Sequence, residues 1–262
     1  MIKTTKLTQH GPLLIGGLAL IAAGVAPAAG TGTRAKEDWP LPVHDDVRYG
    51  QVFLDRFEYQ NGDNGEDEAV WDGQAWYGNG TDRVWVSSEG EYTVNGGEGG
   101  EIENFDVQYS HRFAPFWDVQ AGVGYQTTFG PGPDRDRGFA VVGLQGLAPY
   151  WFEVDTDLRL SEDGDASLGL EAEYDWQLTQ RWVLQARGET SLAFSEVEEF
   201  GVGEGLTGIT TGLRLRYEIA REFAPYVGVS YRELLGDTAD LAEAEGEDSD
   251  RLSAVVGIRW WF

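Results

Sequence analysis

From residue 48 to residue 262 the chain repeats one pattern: ten to fourteen residues of alternating apolar and polar side chains, then a turn. A period of two is the period of a β-strand, whose successive side chains point to opposite faces. The last segment shows it best. Leu252, Ala254, Val256, Ile258, Trp260 and Phe262 share one face, and Arg251, Ser253, Val255, Gly257, Arg259 and Trp261 share the other. Twelve such strands are predicted, at 48–60, 67–78, 81–94, 100–113, 116–128, 137–147, 150–161, 166–178, 181–194, 206–219, 224–235 and 251–262. No helix is expected between them. An even number brings both ends of the sheet out on one side.

The connections alternate in character. "GNGT", "FAPF", "LAPY", "LTQR" and "EFAP" are short, whereas "NGDNGED", "NGGEGGE", "FGPGPDRDR", "EDGD", "SEVEEFGVGEG" and "DTADLAEAEGEDSD" are longer or more acidic. Short turns at one end and long loops at the other are the pattern of a transmembrane β-barrel. Eleven residues at ~3.3 Å each, tilted by ~40°, rise about 27 Å, close to the apolar band of such barrels. Closure removes the free sheet edges that hydrocarbon does not tolerate. A soluble barrel or sandwich would turn its apolar face inward. Here the charged face is the crowded one, on nearly every strand, which puts lipid outside and charge within. The fold class is therefore all-β, an antiparallel up-and-down transmembrane barrel of about twelve strands. Ala-Pro-aromatic recurs at Pro115, Pro149 and Pro225. Proline suits the first residue of a strand, and Phe116, Tyr150 and Tyr226 after it are expected at headgroup depth.

The chain begins differently. Lys3 and Lys6 precede the apolar run "PLLIGGLALIAAGVA", and "APAAG" follows as a cleavage site after Ala28. This reads as a secretory signal peptide, too short to span a membrane. The expected organisation is signal peptide 1–28, periplasmic N-terminal arm 29–46 and outer-membrane barrel 47–262. There is no Cys, hence no disulfide framework and no thiolate metal site. The net charge of -26 argues against nucleic acid and favours cations. The partners expected are outer-membrane lipid and cations.

Among the charges on the lumen parity are Asp72, Glu89, Asp106, Arg159, Arg187, Arg214, Arg216 and Arg259. Arginine pairs bidentately with carboxylates, so an internal salt-bridge lattice is the stronger reading. The sharper reading is a cation path. Glu153, Asp155 and Asp157 lie on one strand and Glu171, Glu173 and Asp175 on the next. Like charges facing one another are destabilising unless a cation or an arginine stands between them. These six, with His44 of the arm, are the candidate metal ligands. No catalytic residues are expected. Beyond the signal peptide the histidines are His44 and His111. His111 falls on the lipid parity near a short turn, the wrong end for an outer-leaflet hydrolase, so no enzyme is predicted.

Several stretches together resemble the copper resistance protein B family of outer-membrane proteins: "WDGQAWYGNGTDRVWVSSEGE", "PFWDVQAGVGYQ", "GLQGLAPYWFEVDT", "TQRWVLQARGE", "GLRLRYEIAREFAPYVGVSY", "LLGDTADLAEAEGED" and "GIRWWF". The resemblance covers about 47–262. It implies a barrel of a Gram-negative outer membrane that contributes to copper tolerance and homeostasis, with a copper ion as the bound species and a periplasmic copper oxidase as a partner. Members often carry a Met- and His-rich segment ahead of the barrel. Here that region is "TGTRAKEDWPLPVHDD", and the only Met is Met1. Soft Cu(I) wants sulfur ligands, so a copper site in this chain must be oxygen-rich, with His44 as a candidate nitrogen donor, and suits Cu(II) or weak, non-selective binding. The alternative is a general cation-selective or structural porin-like barrel without a specific copper site. A final strand ending in Phe262 looks like the recognition signal for outer-membrane assembly. It places both termini on the periplasmic side and the acidic loops outside.

Overall fold

In the computed structural model, which describes residues 47–95, 99–130 and 135–262, twelve antiparallel strands close into a barrel. They are β1 (Tyr49–Gly62), β2 (Asp67–Gly78), β3 (Asp82–Asn95), β4 (Gly99–Ala114), β5 (Trp117–Phe129), β6 (Arg135–Ala148), β7 (Phe152–Ser161), β8 (Ala166–Gln177), β9 (Trp182–Ala193), β10 (Gly205–Tyr217), β11 (Phe223–Leu234) and β12 (Asp250–Trp261). Each pairs with its neighbours in sequence, and β12 pairs with β1 to close the ring. Reciprocal bonds between Val52 and Phe262, 3.0 and 3.1 Å, extend that seam to the last residue. His44 and the segments expected as signal peptide and arm lie outside the described residues.

The barrel is inside-out relative to a soluble protein. Arg56, Glu58, Gln108, Ser110, Arg187 and Arg214 are buried, while Val123, Val142, Leu158, Leu170, Val227 and Val256 are exposed. In β6 the two faces meet on adjacent residues: Val141 is 1 % exposed and Val142 53 %. Rings of outward aromatics flank the apolar band. Tyr77, Phe113, Phe116, Tyr150, Trp151 and Phe262 stand at the short-turn end, and Tyr59, Tyr92, Phe105 and Tyr125 toward the long loops. Amphipathic rings gather at the two membrane–water boundaries for this reason.

Two expectations fail. The last long loop contains a helix, α1 (Gly236–Glu245). Its run of Ala, Leu and Glu has high helix propensity, but its apolar residues make no continuous stripe, so periodicity does not reveal it. Gly246, at φ 88°, ends it by donating to Ala242 and Glu243, a left-handed cap that favours glycine. The three Ala-Pro-aromatic motifs are also not equivalent. Pro115 and Pro149 sit in turns, with Phe116 and Tyr150 exposed at positive φ. Pro225 lies within β11 opposite Ile258, and Tyr226 is buried in the lumen, its hydroxyl donating to Glu58 Oε1 at 3.0 Å.

At the long-loop end, the segment between β9 and β10 folds onto β6. The Arg137 guanidinium lies 4.3 Å from the centre of the Phe200 ring and 4.8 Å from that of Phe139, and Arg135 donates to the carbonyl of Glu199. The same segment meets α1, where the Gly203 N–H donates to Thr238 Oγ1 at 2.9 Å. A stacked cation of this kind contributes about 0.5–2 kcal/mol. Arg137→Ala is therefore expected to free the 195–204 segment. Proteolysis of purified protein in micelles checks this: nicking there should accelerate severalfold while the barrel stays folded on a semi-native gel.

Candidate functional site

Strand alternation places the lumen residues, and bulges adjust it. In β1 the pairing slips at Asp55 with both neighbours. A bulge adds one residue and so reverses which side chains face inward. Phe53 and Asp55 face the lumen before it, and Arg56, Glu58 and Gln60 after it. Strict alternation cannot place Asp55 and Arg56 on one face, which is why sequence reading missed Asp55, Arg56 and Glu58. A second slip in β4, between Ile102 and Phe105, adds Glu103 to those missed. The only available signal was the surplus of consecutive charged residues at these points.

A cavity of about 540 Å³ occupies the lumen, from the short-turn end on β3 and β5 to Ser191 near the long-loop end of β9. Its wall runs from Arg83, Asp118 and Gln145 to Asp72, Glu89 and Asp157. Eleven carboxylates line it against three guanidiniums, those of Arg83, Arg159 and Arg259. Five of the candidate ligands, Glu153, Asp155, Asp157, Glu171 and Glu173, are on this wall, and Asp175 lines a small adjoining space. Their register brings like charges face to face, with Glu153 opposite Glu173 and Asp155 opposite Glu171.

Arginines resolve part of this conflict. Arg187 on β9 reaches Glu171 at 2.7 Å, Asp72 at 3.3 Å, Glu189 at 3.4 Å, Glu89 at 3.5 Å and Glu173 at 3.8 Å. Arg56 shares Asp72, at 3.3 Å, and Glu89 with it. Arg159 holds Asp157 at 2.6 Å and also pairs with Asp106. Arg216 holds Asp175 at 2.5 Å, and Arg259 holds Asp55 at 2.7 Å. Glu153 and Asp155 have no ion pair or hydrogen bond among the described residues. Most of the acidic cluster thus belongs to a lattice, and two of its members remain available to a mobile cation.

The family follows from sequence. Residues 48–262 match the family described as copper resistance protein B precursor (CopB). This chain belongs to the copper resistance protein B family. A copper resistance protein B of Escherichia coli is 42% identical over 222 residues, covering 84% of this chain and 72% of that relative. A copper resistance protein B homolog of Pseudomonas syringae pv. tomato is 37% identical over the same span and shares. Among solved structures, the NanC porin superposes with a TM-score of 0.51 at 14% identity, covering 81% of this chain and 99% of the porin. That likeness shows an outer-membrane barrel fold and nothing finer.

The possible metal donors lining the cavity are carboxylate oxygens. Among the described residues no three His, Asp or Glu side chains form a preassembled metal site. His111 faces outward, its Nδ1 2.8 Å from Asp82 Oδ1, and Tyr109 donates to the same oxygen at 2.5 Å. It does not approach the cavity. The lumen offers carboxylates suited to a hydrated or tetragonal divalent ion rather than the sulfur that holds Cu(I).

Proposed function

We propose that this barrel contributes to copper tolerance by holding or passing copper ions, as Cu(II), in the acid-lined half of its lumen, and that it catalyses no reaction. The observation that carries this reading is the pair Glu153 and Asp155, two carboxylates without partners on a wall where acids far outnumber arginines. Asp157, Glu171, Glu173 and Asp175 add negative potential around them, and focused potential in a cleft raises the local cation concentration. His44, in the arm that follows a signal peptide ending at Ala28, adds the nitrogen donor of this reading. In this reading both termini are periplasmic, the acidic loops face outward, and a periplasmic copper oxidase is the partner that meets the short-turn end.

The double variant Glu153→Gln, Asp155→Asn tests the site. Cu(II) binding to purified protein, measured by equilibrium dialysis, is expected to weaken about tenfold, equivalent to ~1.4 kcal/mol. Unchanged Cu(II) binding would remove these two residues from the site. The lack of a preassembled three-ligand site among the described residues favours a second reading, a general cation-selective or structural porin-like barrel. Conductance of K⁺ without saturable Cu(II) binding would establish that reading instead.

A further inference from the structure

The lumen is bridged at mid-height, and what bridges it is positively charged. Asp72, Glu89, Glu171 and Arg187 lie near the middle of β2, β3, β8 and β9. In a ring of twelve strands β9 and β3 are half the circumference apart. The contacts of Arg187 with Asp72 and Glu89 therefore cross the lumen rather than follow its wall. Arg56 enters from β1 and shares both carboxylates, so the two guanidiniums and two acids alternate around a closed quartet. Both arginines are buried. Arg187 is tied on its own side to Glu171 and Glu189, leaving it no free direction in which to swing. Behind the quartet, Arg214 fills the space against Glu58.

We infer that Arg187, with Arg56 beside it, is the residue that determines whether ions cross this barrel. It forms a cationic bar across the acid-lined lumen at mid-height. A cation is drawn in by the carboxylates and meets two pinned guanidiniums where the lumen narrows. Rings of like charge at a constriction set which ions pass. Guanidinium stays charged at any pH a cell meets, so the bar cannot be removed by titrating it. Take away Arg187 and Arg56 alone faces Asp72, Glu89, Glu171, Glu173 and Glu189, so acids outnumber the remaining guanidinium and admit cations. The inference rests on the lumen being a cation compartment, as proposed above, but not on copper being the cation.

The test is planar-bilayer recording of the purified full-length protein in KCl without copper, so that its outcome is independent of Cu(II) binding. The wild-type protein is expected to show little or no conductance. Arg187→Gln should raise K⁺ conductance by about tenfold or more, with a reversal potential showing cation selectivity. Arg187→Lys, which keeps the charge, should stay within about twofold of wild type. Equal conductance of the Gln and Lys variants would overturn the inference. So would a wild-type barrel that already carries a large, steady, cation-selective current. That wild-type measurement decides the matter even if Arg187→Gln does not reach the folded mobility on a semi-native gel: silence supports the bar and steady current refutes it.

Discussion

Glu58→Ala is expected to destabilise the folded barrel by about 3–5 kcal/mol, the cost of leaving a buried charge without its partner. Glu58 is 3 % exposed. Arg214 donates to it twice, from Nε to Oε1 at 2.5 Å and from Nη2 to Oε2 at 3.1 Å. Tyr226 and Gln60 each add a bond at 3.0 Å. These contacts tie β1 to β10 and β11 across the closing seam. Alanine removes every acceptor at once and leaves Arg214, 3 % exposed, facing no anion. Replacing both members by apolar residues of similar volume, Glu58→Leu with Arg214→Met, should recover most of the loss, because desolvating two charges nearly cancels their attraction. Urea unfolding in lipid vesicles measures both. A single-variant effect below ~1 kcal/mol would mean that water reaches Arg214 and replaces the carboxylate.

The second large effect is on the opposite face. Val142→Arg should destabilise the membrane-inserted barrel by about 2–4 kcal/mol, the cost of a cation facing lipid near the bilayer midplane. Val142 lies in the middle of β6 and is 53 % exposed. On a soluble protein an exposed valine tolerates arginine with little change, usually within about 0.5 kcal/mol. The same substitution at Tyr150, in the turn after β6, should cost no more than about 1 kcal/mol, because the penalty falls away near the interface. Folding titrations in vesicles compare the two sites. Equal costs at both would contradict a lipid-facing exterior.

The strands were legible because alternation is a local property. Predicted strand ends lie within about two residues of those observed, and the outward faces of β8, β10 and β12 agree side chain for side chain. Bulges were not legible. The slip at Asp55 depends on what β2 and β12 do on either side, and in "FLDRFEYQ" only the adjacent charges Asp55 and Arg56 hint at it. The misplacement of Tyr226 has a related cause. The Ala-Pro-aromatic motif looked alike in all three places, but only the closed ring shows that Tyr226 turns into the lumen to meet Glu58.

The charged lumen followed from sequence, and so did the acids of β7 and β8. Which of those acids are spent did not. Asp157 is held by Arg159 two residues along β7, Glu171, Glu173 and Asp175 are held by arginines on other strands, and Glu153 and Asp155 are not held. By itself the sequence determined the strand number, the inside-out faces, the meander order and the family, since each follows from neighbours along the chain. Tertiary structure decided which charges meet. Arg187 and Glu89 are 98 residues apart, and they touch only because closing the ring sets β9 opposite β3. A pairing fixed by the circumference of a barrel leaves no trace in a pattern whose period is two.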